Sequence, residues 1–128
     1  MKISELATKA GVDVETVRFY ERKGLVKRPH RPRSGFRDYD DEAQQRIRFI
    51  RGAQELGFSL GEIEDLLALR HDPRRNCSEV RAHAEAKISD IDKKLATLRK
   101  MRGVLVDLAS HCPGEGPTSD CPILAALD

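Results

Sequence analysis

Apolar positions in this chain of 128 residues change character near residue 77. Before it they come in short bursts, each closed by glycine, proline or a capping residue. After it they form one long stripe. Ile3, Leu6 and Ala10 fall at spacings of three and four, and Gly11 then stops the pattern. Asp13 can cap a second stretch, with Thr16 three residues on and a face made by Val14, Val17 and either Tyr20 or Glu21. This pattern predicts helices over 3–10 and 14–23, joined by a tight turn. That is the helix-turn-helix arrangement, whose second helix enters a DNA major groove. Its exposed positions are Glu15, Thr16, Arg18, Phe19 and Arg22, of which Thr and Arg can contact bases or phosphates.

Residues 27–39 hold two prolines and Ser34-Gly35, which exclude a helix and predict a hairpin or wing with a basic tip. Asp40 or Asp41 can cap a third helix reaching Leu56, with Ile47, Phe49, Ile50 and Ala53 inward. Gly57 ends it. Ser59 and Glu62 form a capping-box pattern for a fourth helix, with Leu60, Ile63, Leu66, Leu67 and Leu69 on its buried side. Arg46, Arg48 and Arg51 fit either contacts to a nucleic-acid backbone or a solvated face.

From Ser78 to about Ala109 there is no proline. Ala84, Ile88, Ile91, Leu95, Leu98, Met101, Leu105 and Leu108 follow steps of three and four, close to a heptad seam. Such a helix is roughly 45 Å long at 1.5 Å per residue. Its stripe needs cover, and the chain offers no second long helix, so a second copy is the expected partner.

Composition refines this picture. Charged residues make up 34% of the chain and aromatics 5%, with no Trp, which suits a thin helical molecule with much solvated surface. The first residues lack the apolar core of a signal peptide, and no run approaches the ~20 apolar residues of a membrane span. The expectation is a cytoplasmic protein with no membrane partner. Residues 1–51 carry 13 Lys/Arg against 8 Asp/Glu, whereas residues 71–128 carry nine of each. The anionic partner therefore belongs to the first half. Five Lys/Arg lie within Lys27–Arg37, next to the reading helix, which favours DNA.

Cys77, Cys112 and Cys121 are the chain's three cysteines. In a reducing compartment such a set points to metal or redox chemistry rather than structural bridges. Three thiolates select a soft ion. Zinc usually fills four positions, and only His111 or Asp120 lies near enough in sequence for the fourth. A large soft ion such as Hg(II) suits three sulfurs best. A thiol-redox sensor is the rival reading. The four histidines are scattered and no catalytic grouping stands out, so no enzymatic activity is expected. A small metal carrier without DNA affinity is the reading from another class.

Ile3-Ser-Glu-Leu-Ala7, Val17-Arg-Phe-Tyr-Glu21, Gly24-Leu25, Arg37-Asp-Tyr39 and Leu56-Gly-Phe-Ser-Leu60 with Ile63 occur in the order of the MerR family signature. The chain resembles that family of transcriptional regulators over essentially its whole length. The resemblance implies a mainly α fold in three parts. They are a winged helix-turn-helix DNA-binding domain over 1–70, with its second helix pair at about 41–70, a dimerisation helix over 77–110 forming an antiparallel coiled coil, and a metal-binding loop with a short C-terminal helix over 111–128. It implies DNA contacts from Arg18 and Tyr20 and a phosphate contact from Arg37. Thr16, Arg33 and Phe36 complete the expected DNA-binding set. In an antiparallel dimer Cys77 of one chain meets the loop of the other, so the expected metal site is Cys77 with Cys112 and Cys121 across the dimer. Within the family a cysteine at position 77 marks divalent-metal sensors. The eight-residue gap between Cys112 and Cys121 resembles the mercury-responsive branch. Zn(II), Cd(II) and Pb(II) regulators, or a thiol-redox regulator on the same scaffold, are the alternatives. The implied action is repression without metal and activation with it. The homodimer would sit on a pseudo-palindromic operator and distort an over-long promoter spacer so that RNA polymerase initiates.

Overall fold

The computed structural model describes residues 1–29 and 38–128. The elements are α1 (Ile3–Ala10), α2 (Val14–Arg22), α3 (Asp41–Glu55), α4 (Leu60–Arg70), α5 (Cys77–His111), a 3-10 turn (Thr118–Asp120) and α6 (Pro122–Ala126). Among the described residues there is no strand. The tip of the expected wing lies outside them.

Local chemistry sets the helix ends. Gly11 adopts φ +75°, and its N–H and that of Val12 close onto Thr8 O (3.2 Å) and Ala7 O (3.0 Å). A β-carbon would oppose that left-handed backbone. Asp13 Oδ1 accepts from the Thr16 N–H and the Thr16 hydroxyl, both at 2.7 Å, and so starts α2. Asp40, not Asp41, caps α3, accepting from Ala43 N at 3.0 Å. Ser59 and Glu62 form the reciprocal capping box of α4. At the start of α5, Asn76 Oδ1 accepts from Ser78 N (2.9 Å), while Asn76 N donates to Glu79 (3.0 Å).

The chain divides into two compact units, Met1–Val80 and Arg81–Asp128. In the first, α1 packs on α2 and α3, and α3 on α4. Leu6, Val17, Leu25, Ile47, Ile50 and Ile63 are at most 1% exposed and form the centre of the core. Short amphipathic helices such as these are marginal alone and depend on that shared burial. Arg48 and Arg51 tie α3 to the end of α1. They donate to Lys9 O (3.0 Å) and Gly11 O (2.9 Å), while Arg46 donates to Leu25 O. Arg48 and Arg51 therefore satisfy main-chain carbonyls at the end of α1, and Arg46 one in the segment after α2.

The second unit is organised differently. Its long helix leaves Ile88, Ile91, Leu95, Leu98, Met101 and Leu105 between 40% and 57% exposed. Among its described residues no apolar side chain is buried. No helix among the described residues is long and apolar enough to cross a membrane.

Candidate nucleic-acid interface and thiol pair

The reading face of α2 follows from its packing. Val17 and Tyr20 point into the core, so Glu15 and Arg18 face outward with Thr16 at the margin. Arg18 is about half exposed and pairs with Glu15 at 2.8 Å. An exposed pair of this kind is weak and screened, so Arg18 can exchange it for a phosphate or a base. Thr16 is half-buried, and its hydroxyl donates to Asp13. Those two hydrogen bonds also hold the Asp13 carboxyl below its ordinary range.

Tyr20, to which the resemblance assigns a DNA contact, lies deep in the first unit. It is 3% exposed, and its hydroxyl donates to Gln54 Oε1 at 2.7 Å. Burial raises its phenol above the ordinary value, against the opposing charge of Arg51. A side chain sealed in the core with its hydroxyl already engaged serves α2 as an anchor to α3. Phe19, expected to be exposed, is half-buried against the same core. Arg33, Phe36 and Arg37 lie outside the described residues.

Residues on both sides of that gap are drawn to one side chain that the sequence reading left undecided. The Glu21 side chain is 1% exposed. It accepts from the Tyr39 hydroxyl at 3.1 Å and lies 4.0 Å from Arg28 Nε. Tyr39 N–H in turn donates to Met1 O at 2.8 Å. The helical pattern offered Tyr20 or Glu21 as the inward residue. Both are inward, one toward α3 and the other toward residues 28 and 39.

The cysteines separate into a pair and a single residue. Cys112 directly follows α5, and Cys121 directly precedes α6. Both are half-buried. The loop between them turns at Gly114 (φ +75°) and Gly116 (φ +100°), backbone that side chains with a β-carbon disfavour. Main-chain N–H groups of Leu124 and Ile123 hold the Cys121 thiol below its ordinary value, helped by Cys112 and opposed by partial burial. Cys121 should therefore react first with a limiting alkylating agent near neutral pH, because the thiolate is the nucleophile. Peptide mapping by mass spectrometry would show it, and equal labelling of all three cysteines would contradict it.

Cys77 is exposed at the opposite end of α5. Among the described residues no three His, Cys, Asp or Glu side chains converge on one point that could hold a metal ion. His111 Nδ1 lies 2.7 Å from Asp107 O. Cys77 is the one further cysteine of the sequence.

Comparison with known proteins identifies the family. The family model described as the MerR HTH family regulatory protein matches residues 1–69, and the model described as MerR, DNA binding matches residues 44–108. The mercuric resistance operon regulatory protein of Bacillus cereus is 39% identical over 126 residues, covering 98% of this chain and 96% of that protein. The crystal structure of the transcription regulator PbrR691 from Ralstonia metallidurans CH34, in complex with lead(II), superposes with a TM-score of 0.89 at 40% identity, covering 100% of this chain and 99% of that one. The mercury(II) complex of the dual-function regulator MerR from Bacillus megaterium MB1 gives a TM-score of 0.74 at 37% identity, covering 99% and 98%. With a helix-turn-helix core, a long helix with an uncovered stripe and a terminal thiol pair, the chain belongs to the MerR family of transcriptional regulators.

Proposed function

We propose that the protein is a cytoplasmic, metal-responsive regulator that binds a pseudo-palindromic promoter operator as a homodimer and senses Hg(II). Cys112 and Cys121 of one protomer would hold the ion together with the partner's Cys77. The observation that carries this reading is that Cys112 and Cys121 flank one short glycine-turned loop after α5, with no group of three possible ligands gathered among the described residues. Three thiolates fit a soft divalent ion, which would supply a strong Lewis-acid centre joining them. The apolar stripe of α5 supports the dimer, since a helix with one such face must bury it. Two copies of α2 related by a two-fold axis would read two half-sites.

The residues of this chain then act in two places. Arg18 and Thr16 meet the DNA, with Arg33, Phe36 and Arg37 as the proposed contacts from the segment that follows. The cysteines at the two ends of α5 couple the protomers. A ligand set drawn from both chains binds one arrangement of the dimer better than another, and that difference is the coupling free energy. Distorting the DNA between the half-sites converts the arrangement into promoter activity without new base contacts. Repression without metal and activation of RNA polymerase with it follow from this coupling.

A Pb(II) response has a specific observation in its favour, because a lead(II)-bound regulator superposes on this chain with a TM-score of 0.89. Metal uptake and transcription together decide. Reduced protein should take up one Hg(II) per protomer, and run-off transcription from its promoter should rise at lower Hg(II) than Pb(II), Cd(II) or Zn(II). A lower threshold for Pb(II) would transfer the assignment to lead. No stoichiometric uptake of any of the four would sink the metal reading.

A further inference from the structure

Of the three cysteines, Cys77 has the least packing to hold it. It is exposed, as are Asn76 before it and Ser78 after it. It is also the first residue of α5, in the turn where a helix leaves main-chain N–H groups without partners of its own. Val80, 41% exposed, adds no apolar anchor. What fixes the backbone here is a set of polar bonds that brackets this one residue. Asn76 Oδ1 accepts from Ser78 N at 2.9 Å, and Asn76 O accepts from Glu79 N at 3.0 Å. In return Glu79 Oε2 accepts from Asn76 N at 3.0 Å. The other Glu79 oxygen accepts from Arg75 Nη1 at 2.9 Å. All four bonds join a residue before Cys77 to one after it. The ion pair with Arg75 is partly exposed and contributes little by itself. The reciprocal bonds between Asn76 and Glu79 act on the main chain and close the turn around the thiol.

We infer that Glu79 and Asn76 are positioning residues for metal capture by Cys77: their reciprocal cap holds the first turn of α5 in one conformation and so presents the thiol already ordered. A cysteine on a fraying helix end has to be ordered when the ion binds, and that cost is subtracted from the affinity. The cap removes the cost beforehand. This rests on Cys77 being a metal ligand, as proposed above. Neither Glu79 nor Asn76 touches the ion in this scheme; both act through the main chain on either side of the ligand.

The test titrates full-length, reduced protein with Hg(II) against a competing small-molecule thiol and reads thiolate-to-metal charge-transfer absorption. Glu79→Ala should weaken Hg(II) binding roughly ten-fold, the scale on which supporting partners of a metal ligand act. Glu79→Gln loses the charge but keeps an acceptor for the Asn76 N–H, and should stay close to the wild type. Asn76→Ala should weaken binding in the same direction, and Asn76→Asp, which keeps the capping oxygen, should restore it. If Glu79→Ala fails to fold, the two Asn76 variants decide. Ser59→Ala breaks the equivalent cap of α4 and is the control for general loosening; its affinity should match the wild type. Unchanged affinity in Glu79→Ala and Asn76→Ala, beside a weakened Cys77→Ser, overturns the inference and leaves Cys77 as a ligand. An equal loss in Ser59→Ala, or a Glu79→Gln as weak as Glu79→Ala, overturns it too, the first by making the effect one of stability and the second by making it one of charge. Wild-type affinity in Cys77→Ser would remove the shared site itself and the inference with it.

Discussion

Replacing Cys112 by serine should abolish induction by metal while leaving DNA binding in place. The substitution removes one of three proposed thiolates and leaves a hydroxyl that a soft ion binds poorly. Loss of an outer-shell partner already costs metal affinity roughly 10–100-fold. Loss of a ligand should exceed that, so response at the wild-type inducing concentration disappears. Cys112 lies after the last residue of α5, and the described core of the first unit does not contain it. The operator mobility shift without metal should therefore match the wild type. Mixing chains sharpens the test. A dimer of one Cys77→Ser chain and one Cys112→Ser chain concentrates both defects in one of its two shared sites. The other site keeps all three thiols and should bind one ion per dimer. Sites confined to single chains would give no intact site in the same heterodimer. Metal stoichiometry of purified heterodimers separates these outcomes.

The second large effect concerns folding. Leu6→Ala should cost the first unit about 3 kcal/mol, since truncation of a buried leucine costs ~2–5 kcal/mol. Leu6 is 0% exposed and packs where α1 meets α2 and α3. For a domain of this size that corresponds to a fall in melting temperature of roughly 12–24 °C. Total stabilities of ~5–15 kcal/mol leave little margin for such a loss. Denaturant unfolding monitored through the tyrosines reads the first unit, because both tyrosines of the chain lie in it. A loss below about 1 kcal/mol would mean that the site collapses around the cavity and that the packing is looser than the exposure indicates.

Much of the fold was legible because helix ends are local events. Gly11, Asp13 and the Ser59–Glu62 pair act within four residues of the bonds they form, and each appears where the sequence placed it. The seam from Ile88 to Leu105 was legible for the same reason, since it depends only on period. What the pattern missed was tertiary. Arg48 and Arg51 looked free for DNA or solvent until α3 was seen to reach the carbonyls ending α1, about forty residues away in sequence. The bond from the Tyr20 hydroxyl to Gln54, between α2 and α3, likewise has no local signal. The helical pattern offered Tyr20 or Glu21 and not both, because Glu21 meets Arg28 and Tyr39 rather than its neighbours on the helix. Among the cysteines, spacing was enough to suggest the Cys112–Cys121 pair. The proposed place of Cys77, in a site shared with a second chain, came only from the resemblance to the family.

The uncovered stripe of α5 also bears on how the protein lives in a cell. A solitary helix of this length gains its persistence mainly from packing, and among the described residues its apolar seam from Ile88 to Leu105 stays exposed. A newly made copy that has found no mate would present a frayed sensing end to proteases, while its compact first unit stays closed to them. Turnover would then fall as copies accumulate and pair. Scarce regulator would be trimmed and paired regulator spared, so the same seam that joins the protomers would set a floor on how few molecules a cell can usefully keep.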